Sequence, residues 1–122
     1  MESGEKALRD LIRNDPRYPA DAYRFLFDAL RHTVERMPKT RHVTGQELLE
    51  GIRDFARDQF GGMARVVLNH WNIQKTEDFG TMVFNLVNVN LMGRTEKDTI
   101  DDFRDGYDFK DAFPIDYSPG SN

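Results

Sequence analysis

Tyr23-Arg-Phe-Leu-Phe-Asp-Ala-Leu-Arg-His-Thr-Val-Glu-Arg-Met37-Pro38 is the stretch whose reading decides the fold. Tyr23, Leu26, Phe27, Leu30, Val34 and Met37 stand at i, i+3, i+4, i+7, i+11 and i+14, the spacing of one face of an α-helix. Pro38 lacks an N–H and clashes with the preceding turn, so the helix stops there. Upstream, the two prolines of Asp15-Pro-Arg-Tyr-Pro19 predict an extended connection. Before it, Glu5 to Asn14 follows a Ser3 N-cap and carries Leu8, Leu11 and Ile12 on one face.

Downstream, Thr44-Gly-Gln-Glu47 is a capping box, in which each side chain can satisfy an N–H of the other residue. It opens a third helix with Leu48, Leu49, Ile52, Phe55, Ala56 and Phe60 as its buried face, ended by Gly61-Gly62. A fourth helix is predicted from Met63 to about Trp71, with Met63, Val66, Val67 and Trp71 inward. Thr76 is the expected N-cap of a fifth, whose Glu77 and Asp78 suit the positive end of the helix dipole. Its face is Phe79, Met82, Val83, Leu86, Val87 and Leu91, and Gly93 is the expected C′ residue.

After Gly93 the helical period fails. Thr95, Thr99, Ile100 and Phe103, with a turn at Gly106 before Tyr107-Asp108-Phe109, predict a short two-stranded β element. The expected fold is mainly α: about five helices in one compact domain over residues 5–113, with a flexible tail at 114–122. The order of helices three to five and then a hairpin also fits a winged helix, with helix five as recognition helix and Arg94 to Asp108 as the wing.

With 122 residues the chain has the size of one domain, and 39% hydrophobic residues suffice for a core. The absence of cysteine removes disulfides, thiolate nucleophiles and cysteine-ligated metals. Met1-Glu-Ser-Gly-Glu-Lys6 has neither the basic nor the apolar region of an export signal, so a cytoplasmic location is expected. No apolar run approaches the roughly 20 residues of a membrane span. Residues 1–70 hold 12 Lys/Arg against 11 Asp/Glu, whereas residues 71–122 hold 5 against 10. That acidic half disfavours nucleic acid as a partner.

No catalytic set can be assembled from these residues, and the reading is that of a non-enzyme. His32, His42 and His70 lack the i+3 or i+4 partner of a helical zinc motif, so no metal is expected. Asp101-Asp-Phe-Arg-Asp105-Gly106 fails as a calcium loop, because Phe103 and Ala112 fall where oxygen ligands are needed. The serines, Ser3, Ser118 and Ser121, all lie near the ends. Gly61-Gly62 lacks the Lys-Ser/Thr of a phosphate loop, and no cofactor is expected. What remains is a small basic cluster, Arg36, Lys39, Arg41 and His42, as a candidate binding patch. Helix five offers Asn85, Asn88 and Asn90 but no Lys or Arg after Lys75, which suits DNA poorly. A protein partner is the leading expectation and a winged-helix nucleic-acid regulator the alternative.

The strings Asp15-Pro-Arg-Tyr-Pro19, His42-Val-Thr-Gly-Gln-Glu-Leu-Leu-Glu-Gly51, Thr76-Glu-Asp-Phe-Gly80 with Val83-Phe-Asn-Leu-Val87, and Asp102-Phe103 with Tyr107-Asp-Phe109 resemble a small bacterial family associated with Planctomycetes and Verrucomicrobia. The resemblance would cover about residues 5 to 113. It implies a lineage-restricted cytoplasmic protein and carries over no functional residue. Asn72 departs from the pattern, where glycine is expected after Trp71, and bears on how tightly the fourth helix exits.

Overall fold

Small side chains decide how the central helix sits. In the computed structural model, which describes residues 2–38, 43–93 and 100–115, α2 spans Ala20–Glu35 and buries Ala22, Tyr23, Phe25, Leu26, Ala29 and Thr33. The expected stripe is therefore rotated: Phe27 and Leu30 are half-buried and Val34 is 40% exposed. The cause is α3 (Gly45–Phe60), which lies closely against α2. A Cβ on Gly51 would stand 1.7 Å from Thr33 Oγ1, so only glycine permits the crossing as it is. The Thr33 hydroxyl donates to the Ala29 carbonyl at 2.8 Å, which satisfies it inside the contact.

α3 begins as expected. Thr44 Oγ1 accepts the Glu47 N–H at 3.1 Å and Glu47 Oε1 accepts the Thr44 N–H at 3.0 Å. Leu48, Leu49, Ile52 and Ala56 are buried, while Phe55 and Phe60 are half-buried. The helix gives way to a 3-10 turn at Gly61–Met63 before α4 (Ala64–His70). Three residues per turn shift the phase on entering α4. The buried residues of α4 are accordingly Ala64 and Leu68, not the expected face, and Met63 is 37% exposed. At the exit Asn72 has φ +65°, a left-handed conformation that asparagine tolerates. Its amide Nδ2 also donates to the Arg17 carbonyl at 3.1 Å, a bond glycine could not make.

α1 (Glu2–Asn14) contributes Leu8 and Leu11 to the core. α5 (Thr76–Asn88) buries Phe79, Met82, Val83 and Leu86. Thr76 is the first residue of α5 and not its cap. Its buried hydroxyl instead accepts the Gly106 N–H at 3.1 Å, while Asp78 Oδ2 accepts the N–H groups of Gln74 at 2.8 Å and Lys75 at 3.2 Å. At the other end Asn90, with φ +62°, takes the left-handed position expected of Gly93.

The two-stranded element and the wing are not what the described part of the C-terminal segment shows. Ile100–Phe103 is a 3-10 turn, and Phe109–Ala112 is a one-turn helix, α6, capped by the Asp108 side chain on the Lys110 N–H at 2.7 Å. Among the described residues there is no strand; Arg94 to Thr99, the start of the expected wing, lie outside them, as do residues 116–122 of the expected tail. Residues 100–113 form a strap over α3 and α5. Phe103 is 2% exposed, and a Cβ on Gly80 of α5 would come within 2.8 Å of its own Cβ. Tyr107 donates its hydroxyl to the Leu49 carbonyl at 2.8 Å, Arg57 Nε donates to the Ala112 carbonyl at 2.7 Å, and Phe109 and Phe113 complete the core. Strand-like composition is the wrong guide here because Phe103 and Phe109 enter one core from turns, not from strand faces. The architecture is thus mainly helical and compact. No helix among the described residues is long and apolar enough to cross a membrane.

Candidate interaction surface

Of the four residues in the expected basic patch, Arg36 is described; Lys39, Arg41 and His42 lie outside the described residues. Arg36 is exposed at the C-cap of α2. It lines a shallow groove of about 180 Å³ with His32, Met37, Glu47, Glu50 and Asp54. The described surroundings of Arg36 are therefore rich in carboxylates. The i, i+3, i+7 spacing of Glu47, Glu50 and Asp54 along α3 puts them on one face, a juxtaposition that loop composition alone does not reveal.

Asp15-Pro-Arg-Tyr-Pro19 folds as a polar latch between the α1–α2 connection and α5. Tyr18, 2% exposed, donates to Asp78 Oδ1 at 2.7 Å. Asn85 Nδ2 reaches Asp15 Oδ2 and the Tyr23 hydroxyl, each at 3.2 Å. Arg17 holds Asp15 with its Nε at 2.8 Å and its Nη2 at 2.6 Å. Asn85 is thereby committed to the fold and is withdrawn from any base-reading role on α5. Burial pushes the Tyr18 and Tyr23 phenols above their ordinary range, so both stay protonated in the latch.

The side-chain hydrogen bond from Arg17 holds the Asp15 carboxyl at about 2, below its ordinary 3.8. With the folded value depressed, the latch contributes fully above pH 4 and its contribution is lost as pH falls through the folded value near 2. Asp15→Asn is expected to flatten the fall in unfolding free energy between about pH 4 and pH 2, and to lower stability at neutral pH by about 1 kcal/mol. Urea titrations across that pH range check both effects.

The strap creates two clefts that share Asp105 and Tyr107. One, of about 480 Å³, is lined by Arg65 of α4, Gln74, Lys75, Glu77 of α5 and Asp105 to Lys110 except Gly106. The other, of about 280 Å³, lies between the strap and α3, with Gln46, Leu49, Glu50, Arg53, Asp102, Arg104 and Gly106. Tyr107 stands between them. Its ring stacks at 6.1 Å on Phe109, with the Arg53 guanidinium 6.0 Å from its centroid. Burial pushes its phenol up, which keeps it a donor to Leu49. Glu77 Oε2 accepts the Asp105 N–H and its Oε1 the Thr76 hydroxyl, both at 3.3 Å. Despite desolvation by burial, its own backbone N–H, these two bonds and the nearby Lys75 charge together hold its carboxyl below the ordinary value.

A third feature is a run of rings across α2, α3 and the end of α4. His32 meets Phe55 at 5.2 Å, Phe55 meets Phe25 at 5.6 Å, and Phe25 meets both Phe60 at 5.7 Å and Trp71 at 5.6 Å. Phe25 is buried and the others are half-buried. The helical stripe places Phe25 off the core face and so conceals this row.

None of the described residues forms a group of three or more His, Asp or Glu side chains able to hold a metal. Among the described residues, neither cleft is lined by a histidine or a serine. The fold and surface together define a mainly helical domain with a strapped core and mixed-charge clefts. Compared with known protein families, characterised proteins and solved structures, the chain matches none.

Proposed function

We propose that this chain is a non-enzymatic, adaptor-like interaction domain that binds another protein. The observation that carries the reading is the make-up of the surface around the strap. Its two clefts line up Arg53, Arg65, Lys75, Arg104 and Lys110 with Glu50, Glu77, Asp102, Asp105 and Asp108, beside the half-buried Tyr107. Arginine and aromatic side chains are what protein interfaces enrich, and a balanced mixture of charges suits a polypeptide. Polyphosphate requires an excess of cations, which this surface lacks. Two further points support the reading: Asn85 is spent on the latch, and among the described residues the clefts hold no nucleophile paired with a base.

The alternative, a nucleic-acid-binding regulator, leads to the opposite result in a direct assay. Gel-shift titration with duplex and single-stranded DNA at low and physiological salt is expected to show no shift. A shift that weakens steeply with salt would favour the regulator, since released counterions produce that slope. Affinity capture from native lysate is expected to retain protein; recovery of nucleic acid or small molecules alone would overturn the reading.

A further inference from the structure

We propose that Asp105-Gly106 is a modification site, at which aspartate isomerises to isoaspartate and unseats the strap. It is the one Asp-Gly pair in the chain, and no Asn-Gly pair accompanies it. Glycine has no Cβ to shield its amide nitrogen, so that nitrogen can reach the carboxyl of the residue before it. Asp105 is exposed and holds φ +52°, a left-handed conformation that costs an L-residue energy. In the reaction the Gly106 nitrogen attacks Cγ of the protonated Asp105 carboxyl. The new N–Cγ bond closes a five-membered succinimide, and the Cγ–O bond breaks as the amide proton and the hydroxyl leave as one water. Water then adds back at either ring carbonyl. Attack at Cγ restores aspartate, whereas attack at the main-chain carbonyl breaks its bond to nitrogen and leaves isoaspartate.

The folded chain holds this reaction back. The Gly106 N–H donates to the buried Thr76 Oγ1 at 3.1 Å, and the Asp105 N–H donates to Glu77 Oε2 at 3.3 Å. The proton on the attacking nitrogen is thus engaged, and the backbone on both sides of Asp105 is pinned to α5. Ring closure therefore waits for an opening of the strap. Once formed, isoaspartate does not fit the seat. Its main chain runs through Cβ and Cγ and is one carbon longer, at a place where even a Cβ on Gly106 would stand 2.6 Å from Leu49 Cδ1. The added carbon displaces Gly106 from Thr76 and pulls the next residue, Tyr107, from the Leu49 carbonyl. Asp105 and Tyr107 line both clefts, so the modification removes their common wall.

The test incubates the whole chain for several weeks at physiological temperature and pH, folded and in guanidinium chloride. Isoaspartate is located by electron-transfer fragmentation of the peptide that holds residues 105 and 106. The unfolded chain is expected to accumulate it at 105, and the folded chain more than about tenfold more slowly, since only the opened fraction reacts. Thr76→Val keeps the shape of the side chain and removes the acceptor; it is expected to speed the folded reaction about fivefold, the equivalent of one lost hydrogen bond. Asp105→Glu, whose ring would have six members, is expected to give no product there. The isomerised fraction, separated by chromatography and refolded, is expected to lose hydrogen-exchange protection at the Phe113 amide.

No isoaspartate at 105 in the unfolded chain, or equal rates folded and unfolded, would overturn the inference. So would an unchanged rate in folded Thr76→Val, or full Phe113 protection in the isomerised fraction. If Thr76→Val does not fold, the comparison of folded with unfolded wild type still decides.

Discussion

Phe103→Ala is expected to lower the unfolding free energy by about 3–5 kcal/mol, as large-to-small changes at filled core sites do. Phe103 is 2% exposed and sits where α3 and α5 both present glycine, Gly45 and Gly80. The methyl that an alanine retains there cannot fill the space left by a ring, and the two glycines have no side chains to collapse into it. Gly80→Ala probes the same contact from the other side, since its added methyl would meet the Phe103 Cβ at 2.8 Å. Urea unfolding followed by far-UV circular dichroism checks both. A loss below about 1 kcal/mol for Phe103→Ala would mean that the strap is peripheral.

The second large effect is at the α2–α3 crossing. Gly51→Ala places a methyl 1.7 Å from Thr33 Oγ1 and 2.9 Å from Thr33 Cβ, so the helices must separate. Overpacking of this kind costs typically about 1–3 kcal/mol, and a backbone-limited contact belongs at about 3 kcal/mol or above. Thr33→Ala alone removes the hydroxyl together with its bond to the Ala29 carbonyl and is expected to cost about 1 kcal/mol. Combined, the two substitutions relieve the severe clash, leaving only the 2.9 Å contact, and are expected to recover about 1–2 kcal/mol relative to additivity. An additive double mutant would show that the crossing is not held by this pair.

These two sites also explain how far the sequence could be read. Capping and turn chemistry is local, so Thr44 with Glu47 can be recognised within four residues and marks the start of α3 correctly. Helix existence is likewise legible from period alone, and all five main helices are present. Phase is not, because it depends on small residues. Thr33 meets Gly51 of α3 at the crossing while Val34 faces outward, although apolarity alone ranks valine above threonine. The strap escapes a sequence reading for a related reason. Phe103 is explained by Gly45 and Gly80, and Gly106 by Thr76, partners far away in the chain whose meaning appears only once the helices are packed. Thr76 illustrates the ambiguity well: a threonine before two acids reads as an N-cap, yet its hydroxyl serves the strap and Asp78 supplies the cap.

The candidate site follows the same division. Arg36 is visible as a charge beside a helix end, but its described neighbours Glu47, Glu50 and Asp54 come from another helix. The cations Arg65, Lys75 and Lys110 are scattered over three elements and form no run in the sequence. Only Asp105-Gly106, legible as a turn, hints that something is assembled there. The clefts therefore depend on the strap holding its place, through Tyr107 on Leu49, Arg57 on Ala112 and Gly106 on Thr76.

Native-state hydrogen exchange tests that dependence most directly. The Gly106 N–H is bonded to Thr76 Oγ1 and the Phe113 N–H to the Phe109 carbonyl at 2.8 Å. If the strap is part of the core, both amides exchange only through the same global opening as the α5 amide of Leu86, with the same dependence on denaturant. Exchange of Gly106 and Phe113 within seconds, while Leu86 stays protected, would contradict the account, because the clefts would then lack a fixed wall.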